Sequence, residues 1–156
     1  MNIRVATISD ADAISQLLTS LSETYIISGL AEEGKRNLLG SMAPSAIKGF
    51  FDRGFRYHVG EVNSEIIGVV GTRDNSHLFH LFVHSDYQGQ KYASALWEVG
   101  RTACIESGSN PGYFTVNSSL NAQEVYKGWG FTPIAGIREG GGVKDVPMRM
   151  EFMGQN

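Results

Sequence analysis

The sequence contains little that would suggest a secreted, membrane-bound or disulfide-stabilised protein. Its 156 residues include one cysteine, Cys104, so no disulfide can form within the chain, as is typical of a reducing compartment. The longest apolar run, HLFHLFV at residues 77–83, is far too short to span a membrane. The first ten residues lack the charged and then apolar pattern of a signal peptide. We therefore expect a cytoplasmic protein without a membrane partner.

Basic residues are also scarce. The chain has 13 lysines and arginines against 16 acidic residues, and its net charge is −3. The basic residues are scattered along the sequence, so we expect no nucleic-acid partner bound through phosphate contacts. A local anion site built from backbone amides stays open, because a charge count does not include main-chain dipoles.

The apolar pattern changes between strand and helix periods, which predicts an α+β (mixed α/β) fold in one domain, residues 1–156. Seven segments have strand character: residues 3–7, 56–62, 65–73, 77–84, 112–117, 131–137 and 146–152. Helical spacing predicts a helix up to about residue 25, short helices near 38–42 and 47–51, and helices at 90–107 and 121–128. We expect Ser9 to cap the first helix, with Asp12 in capping-box spacing, and Gly29 and Gly34 to break the pattern after it.

The glycine run at residues 140–142 precedes the last predicted strand. Two interpretations fit it, a long hairpin connection and a mobile substrate lid, and we favour the hairpin connection.

Three of the four histidines, His77, His80 and His84, lie close together in the sequence. Their apolar neighbours predict a strand, on which His77 faces one side and the other two face the opposite side. His80 and His84 would then be roughly 13 Å apart, too far to bind the same zinc ion. We therefore expect no metal site, and a metal-binding domain is the most remote alternative. Cys104, inside a predicted helix, is expected to be a buried and unreactive thiol.

The segment YQGQKYASALWEV, residues 87–99, changes from a polar turn into an amphipathic helix. A helix start exposes free amide groups and a partial positive charge, which attract phosphate. Gly89 allows a close approach, and Lys91 would add a full charge. On these residues alone, an anion site and a loop leading into a packed helix are equally supported.

Together with NSSLNAQEVYKGWGF, residues 117–131, this segment resembles the GNAT superfamily of N-acetyltransferases. Gln88 and Ala93 match the acetyl-CoA loop of the family, whereas Lys91 stands where the family has glycine. Asn121 and Tyr126 match the second motif, which continues into Gly130 and Phe131. The resemblance implies a mostly antiparallel twisted sheet of about seven strands flanked by helices, with strands 4 and 5 splayed apart. Lysine at position 91 is either strained at positive φ or placed in helical φ/ψ.

The resemblance also implies acetyl-CoA as the acyl donor and assigns residues to it. Main-chain groups of the fourth strand would bind the pantetheine arm, at Leu81, Phe82 and Val83. Amides at the helix start would bind the pyrophosphate, at Gln88, Gly89, Gln90, Lys91, Tyr92, Ala93 and Ser94. Asn121 would line the thioester slot, and it is also a candidate helix N-cap.

The catalytic assignments follow from the same resemblance. Tyr126 would protonate the departing thiolate, although a tyrosine packed in the core is the alternative interpretation. His77 occupies the position of a glutamate base in some relatives, and a solvent-facing histidine is the alternative there. Glu61 and His80 are further candidates for the base.

The acceptor is expected to be a small-molecule amine or a peptide amine. The resemblance implies that residues 25–34 and 138–145 wall its pocket, where four acidic side chains are candidate ammonium ligands: Glu23, Glu32, Glu33 and Glu139. A homodimer is compatible with the family. A non-catalytic CoA-binding sensor or partner subunit with the same fold is the alternative function.

Overall fold

The computed structural model describes residues 1–25 and 30–152. Over these residues the chain forms eight strands and five α-helices. Their order is β1 (Asn2–Val5), α1 (Ala11–Tyr25), α2 (Glu32–Ser41), α3 (Pro44–Asp52), β2 (Arg56–Val62), β3 (Glu65–Arg73), β4 (His77–Val83), α4 (Tyr92–Glu106), β5 (Tyr113–Ser118), α5 (Gln123–Gly128), β6 (Thr132–Pro133), β7 (Arg138–Gly140) and β8 (Val143–Glu151).

The strands form one mostly antiparallel sheet in the order β1-β2-β3-β4-β5-β8-β6, with β7 also paired to β8. The predicted α+β fold is therefore confirmed. The sixth predicted strand is wrong in detail, because residues 131–137 contribute only the two-residue β6. The last strand begins at Val143, three residues earlier than predicted.

Helices cover both faces of the sheet. Neighbouring residues Val69 and Val70 on β3 point to opposite faces, each into a separate hydrophobic core. On one side, Leu96 and Trp97 of α4 pack with Phe114 and Phe131, and on the other, α1 and α3 cover Tyr57 and Val59 of β2. Cys104 on α4 is fully buried, as predicted.

The N-terminal cap lies two residues earlier than predicted. A short 3₁₀ turn at residues 8–10 precedes α1, and the Thr7 amide donates to the Asp10 carboxylate at 2.8 Å. The expected cap by Ser9 and Asp12 is thus wrong. Asp10 also accepts from Arg4, whose Nε donates to Glu61 on β2, so the cap joins α1 to the sheet edge.

Strands β4 and β5 are the only parallel neighbours in the described sheet, and they soon separate. Their pairing consists of His77 with Thr115 and Leu78 with Val116. Beyond these pairs, β4 continues to Val83 paired only with β3, while β5 stays paired with β8 from Tyr113 to Ser118. The predicted splay between strands 4 and 5 is confirmed.

A β-bulge in β4 changes which way its histidines face. Opposite Gly71 and Thr72 of β3 lie His80 and Leu78, so Phe79 is the extra residue. His77 and His80 therefore share one face, and the prediction that they face opposite sides is wrong. The period of two used for that prediction holds only in a strand without a bulge.

The glycine run forms a tight turn between β7 and β8, in which Gly141 and Gly142 both have positive φ. The hairpin interpretation is confirmed, with a two-residue turn in place of a long connection. This turn packs on α2, where the Asn37 side chain donates to the Gly141 carbonyl at 2.8 Å. Gly34, predicted to break the helix, lies buried inside α2 against Gly142. Gly29 lies outside the described residues.

We expect Gly34→Ala to destabilise the protein, because a Cβ at this position would lie 2.5 Å from the Gly142 carbonyl oxygen. Overpacking of this kind costs about 1–3 kcal/mol, more than the helix gains from replacing glycine by alanine. Gly40→Ala in the same helix is the matched control, since nothing lies within 4 Å of its added Cβ. Thermal unfolding should show a lower melting temperature for the first variant alone. A Gly34→Ala protein as stable as the control would contradict this packing.

Candidate active site

Two cavities open where β4 and β5 separate. The first, about 410 Å³, is formed by the end of β4, the turn after it and α5. The second, about 340 Å³, lies between β4, β5, α2 and the start of β8. Five residues line both: Leu81, Phe82, Ser119, Ala122 and Tyr126.

The turn between β4 and α4 is fixed to the strand by Gln88. Its side-chain Nε2 donates to the Val83 carbonyl oxygen at 3.0 Å. Gly89 follows with φ of +79°, a conformation that glycine adopts without strain. This geometry directs the chain into the start of α4 beside the first cavity.

Most of the residues assigned to the donor line the first cavity. These are Leu81, Phe82, Val83, Gln88, Gly89, Ala93 and Asn121. Gln90, Lys91, Tyr92 and Ser94 lie at the same helix start but outside the cavity lining. Their assigned contacts run through backbone amides, and these contacts stay predictions.

Lys91 has φ of +65° and ψ of +17°, the left-handed conformation, and it is the N-cap of α4. The alternative of helical φ/ψ at this position is therefore wrong, and α4 begins at Tyr92 instead of Gln90. A residue with a side chain costs roughly 1–2 kcal/mol in this conformation.

Asn121 lies in the turn before α5 and lines the first cavity. The N-cap of α5 is Ala122, so the prediction that Asn121 caps this helix is wrong. The amide side chain of Asn121 is consequently available to the cavity.

Tyr126 on α5 is 8% exposed and lies at the junction of the two cavities. Its ring packs edge-on against Trp129 and Phe131, with centroid distances of 5.7 and 5.8 Å. Burial raises the pKa of its phenol to about 12. No described residue forms a hydrogen bond with its hydroxyl group, which is thus free to donate to a bound molecule.

The two buried histidines of β4 differ in access. His77 Nδ1 lies 2.7 Å from Thr115 Oγ1, and the residue lines neither cavity. His80 lines the second cavity, with Nδ1 2.9 Å from the Tyr57 hydroxyl. Burial lowers the pKa of His77 to about 4 and that of His80 to about 3, so both imidazoles are neutral at pH 7.

Charged groups near the second cavity come from the β7–β8 hairpin. Val143, Lys144 and Asp145 line it, while Arg138 Nε donates to Asp145 at 2.8 Å. None of the four glutamates suggested as ammonium ligands lines this cavity. Glu61 instead bonds Arg4 at the far edge of the sheet. Residues 26–29 of the predicted acceptor wall lie outside the described part of the chain.

Comparison with known proteins decides the family. The Acetyltransferase (GNAT) domain profile matches residues 26–152. The chain belongs to the GNAT acetyltransferases. A comparison with curated protein sequences found no match.

Several solved structures share this fold along almost the whole length of the chain. A GCN5-related N-acetyltransferase from Rhodopseudomonas palustris is 17% identical with a TM-score of 0.82, covering 97% of this chain and 95% of its own. The PaiA N-acetyltransferase from Thermoplasma acidophilum, in complex with coenzyme A, is 16% identical with a TM-score of 0.76, covering 97% and 100%. An aminoglycoside 6'-N-acetyltransferase complexed with coenzyme A is 13% identical with a TM-score of 0.68, covering 97% of both chains. At these identities the likeness shows the shared fold.

Several residues of the GNAT cavities were not found from the sequence. Val125 on α5 and Trp129, the C-cap of that helix, line the first cavity, as does Leu21 of α1. Helical spacing around Tyr126 would have suggested Trp129, three residues further on. Leu21 is brought there only by the packing of α1 on the sheet.

The described residues of this GNAT domain contain neither a cluster of three potential metal ligands nor a helix suited to cross a membrane. No three histidine, cysteine, aspartate or glutamate side chains there are arranged to hold a metal ion. None of the helices combines the length and apolarity needed to cross a bilayer. The histidine-based metal hypothesis therefore has no geometry to support it in these residues.

We expect Lys91→Gly to raise the free energy of unfolding by about 1 kcal/mol, because glycine adopts positive φ without the Cβ conflict. Lys48→Gly is the control, since Lys48 is exposed within α3, where glycine costs about 1 kcal/mol. Chemical denaturation of both variants measures the two opposite changes. Destabilisation by Lys91→Gly would mean that the lysine side chain contributes more than its conformation costs.

Proposed function

We propose that the protein is an acetyl-CoA-dependent N-acetyltransferase that moves the acetyl group directly to an amine in a ternary complex. One observation carries the proposal: the buried Tyr126 lines both cavities, which meet where β4 and β5 separate. A donor in one cavity and an acceptor in the other would place the reacting atoms beside a single phenol. Because no covalent enzyme intermediate is then needed, direct transfer is the simplest reaction for this arrangement.

The first cavity is the proposed donor site. Main-chain groups of Leu81–Val83 would bind the pantetheine arm, and the turn from Gln88 into α4 would hold the pyrophosphate at the helix start. The apolar side chains of Val125 and Trp129 suit the pantetheine and acetyl groups. Two structures with this fold contain coenzyme A, which supports the choice of donor.

In the proposed reaction, the amine nitrogen attacks the acetyl carbonyl carbon, the C–N bond forms and the C–S bond breaks. Tyr126 donates its proton toward the departing sulfur, giving free CoA thiol. The amine loses one proton as the amide forms. The proposed base accepts this proton and passes it through water to the phenol, which is thereby restored. A main-chain amide at the end of β4, which we assign to Val83, would stabilise the oxyanion.

Deprotonation of the acceptor is the harder step. An alkyl ammonium of pKa about 10.4 is free base in roughly one molecule in a few thousand at neutral pH. We retain His77 as the proposed base, acting through water, and name His80 as the second candidate because it lines the second cavity. Both imidazoles are neutral and weakly basic, so they would accept a proton only after the nitrogen has begun to bond to the carbonyl carbon.

The second cavity is the proposed acceptor site. Its lining is mainly apolar, with Leu38, Met42 and Phe79 among the larger side chains. Its polar end is supplied by Asn117 and the hairpin residues Lys144 and Asp145. Such a lining suits an amine attached to an apolar body, whether that body is a small molecule or a peptide.

The deciding experiment measures CoA thiol released from acetyl-CoA with a panel of amines, amino acids, polyamines and peptides. Thermal unfolding with and without acetyl-CoA accompanies it. We expect a higher melting temperature with acetyl-CoA and acceptor-dependent thiol release. Stabilisation without thiol release from any acceptor would favour the CoA-binding sensor or partner subunit. No stabilisation at millimolar acetyl-CoA would overturn both functions.

We expect Tyr126→Phe to lower kcat at least about tenfold while the Kd of CoA changes little, because the ring packing remains and only the proton donor is lost. Tyr113→Phe is the control, since Tyr113 lies on β5 outside both cavities and its ring packs beneath Arg149. Steady-state kinetics and CoA titration test both variants. Unchanged kcat in Tyr126→Phe would assign that tyrosine to packing alone.

A further inference from the structure

Three arginines line one small polar cavity at the end of the sheet remote from the proposed donor site. This arginine cavity has a volume of about 190 Å³. Its lining consists of Arg53, Gly54, Phe55, Arg56, Thr72, Arg73, Asp74 and Asn75. In a chain with only 13 lysines and arginines and a net charge of −3, such a grouping is not expected from composition.

Two turns bring the arginines together. Arg73 ends β3, and the tight turn after it has Asp74 and Asn75 both at positive φ. Arg53 follows the end of α3, and Gly54, at φ of +86°, turns the chain so that Arg56 begins β2 beside Thr72. The three side chains therefore come from segments whose relative positions are fixed by strand pairing.

The positive charge in the arginine cavity is only partly neutralised. Arg73 pairs with Asp74 at 2.8 Å, and Asp74 is the only carboxylate in the lining. Arg56 donates to the neutral side chain of Asn75 at 2.9 Å. Arg53 is held over the rings of Phe50 and Phe55, at 5.0 and 5.2 Å from their centroids. Two guanidinium groups thus lack a carboxylate partner among the described residues.

The arginine charges contribute to lowered pKa values of two histidines on the neighbouring strands, His58 on β2 and His77 on β4. Burial is the main cause that lowers the pKa of His58, and the charge of Arg56 lowers it further. The pKa of His77 is lowered to about 4 mainly by burial, with Arg73 as the next contribution. Both imidazoles are therefore neutral beside the cavity, and neither adds to the charge that would repel or attract a ligand.

We propose that the arginine cavity binds a small oxyanion of the phosphate class, either free phosphate or the terminal phosphate of a larger molecule. Guanidinium groups present paired N–H donors that match phosphate oxygens, and they bind them more strongly than neutral donors do. The cavity is smaller than the roughly 300–1,000 Å³ of typical small-molecule pockets, which suits a compact ion. The two positive charges of Arg53 and Arg56, which have no carboxylate partner among the described residues, equal in size the charge of a phosphate dianion.

This site is distinct from the proposed donor site and does not depend on the proposed function. The cavity adjoins Arg73, which pairs with His77 at the first residue of β4. The donor turn begins after Val83, roughly 20 Å further along the strand. No residue of the arginine cavity lines either of the two cavities at the strand separation.

The two rings beneath Arg53 contact a residue that lines the second cavity. Phe50 and Phe55 both pack edge-on against Phe79, with centroid distances of 4.9 and 5.1 Å. Phe79 is the bulge residue of β4 and lines the second cavity. Two aromatic layers, Phe50 with Phe55 and then Phe79, thus separate Arg53 from the second cavity.

The test is thermal unfolding of the full chain in sodium phosphate, compared with sodium chloride at equal ionic strength. Saturating CoA is present in one series, so that any phosphate effect at the pyrophosphate position is blocked there. With phosphate at about ten times its Kd, we expect the melting temperature to rise by roughly 3–6 °C in both series. A shift that disappears in CoA, or that chloride reproduces, would overturn the proposal.

Arg56→Gln and Arg73→Gln should each reduce the phosphate-specific shift by more than half, because each removes a guanidinium from the lining. Arg36→Gln, exposed on α2, is the control and should keep the full shift. Two separate variants are used so that a folding defect in one leaves the other informative, and far-ultraviolet circular dichroism checks both. A full shift in both cavity variants would place the anion elsewhere.

Further arms of the titration identify the ligand. Acetate should give less than half of the phosphate shift, and an equal shift would overturn the assignment to phosphate. Methyl phosphate separates the two sources. A shift equal to that of phosphate assigns the site to the terminal phosphate of a larger molecule, and a smaller shift assigns it to the free ion.

Discussion

Strands β4 and β5 pair in parallel only at His77 with Thr115 and Leu78 with Val116, and both cavities follow from their separation after that point. A strand edge without a neighbour leaves main-chain N–H and C=O groups that must be satisfied by water, side chains or a ligand. In a closed sheet, the main-chain groups of Leu81 and Val83 on this edge would pair with β5, whereas here the Val83 carbonyl accepts from Gln88. The open edge therefore leaves room for an extended molecule, as the proposed binding of the pantetheine arm requires.

Burial of Tyr126 sets what its phenol can do at this junction. With its pKa raised to about 12, full proton transfer to a thiolate of pKa about 8.5 would be uphill by roughly 5 kcal/mol. The phenol is therefore a poor free-standing acid. Donating a hydrogen bond to the sulfur while the amine nitrogen loses its own proton avoids that cost, because no phenolate is left isolated in the apolar surroundings of Trp129 and Phe131. In the proposed reaction, coupled proton movement would therefore cost less free energy than a stepwise transfer.

The mixed α/β class could be predicted from local apolar patterns, whereas the cavity-lining motifs were predicted from their resemblance to the GNAT superfamily. Alternating apolar residues indicated β3 and β4, and the segment after Val83 indicated a turn into α4. The bulge at Phe79 could not be predicted, since it is defined only by the register with β3. The left-handed conformation of Lys91 contradicts the residue's own preference and is imposed by the turn. Gly34 contacts Gly142 through a sequence separation of 108 residues, which no local pattern encodes.

That last contact also bears on how the second cavity keeps its shape. Gly142 lies against Gly34 with no side chain between the two backbones, and Asn37 bonds the adjacent Gly141. The next three residues, Val143 to Asp145, line the cavity. Because the turn is held by main-chain packing, a side chain at either glycine would displace the hairpin and with it this part of the wall. The position of this part of the wall therefore depends on two residues that do not line the cavity. Changes at the hairpin contact would accordingly alter the shape of the cavity, as would changes in the lining itself.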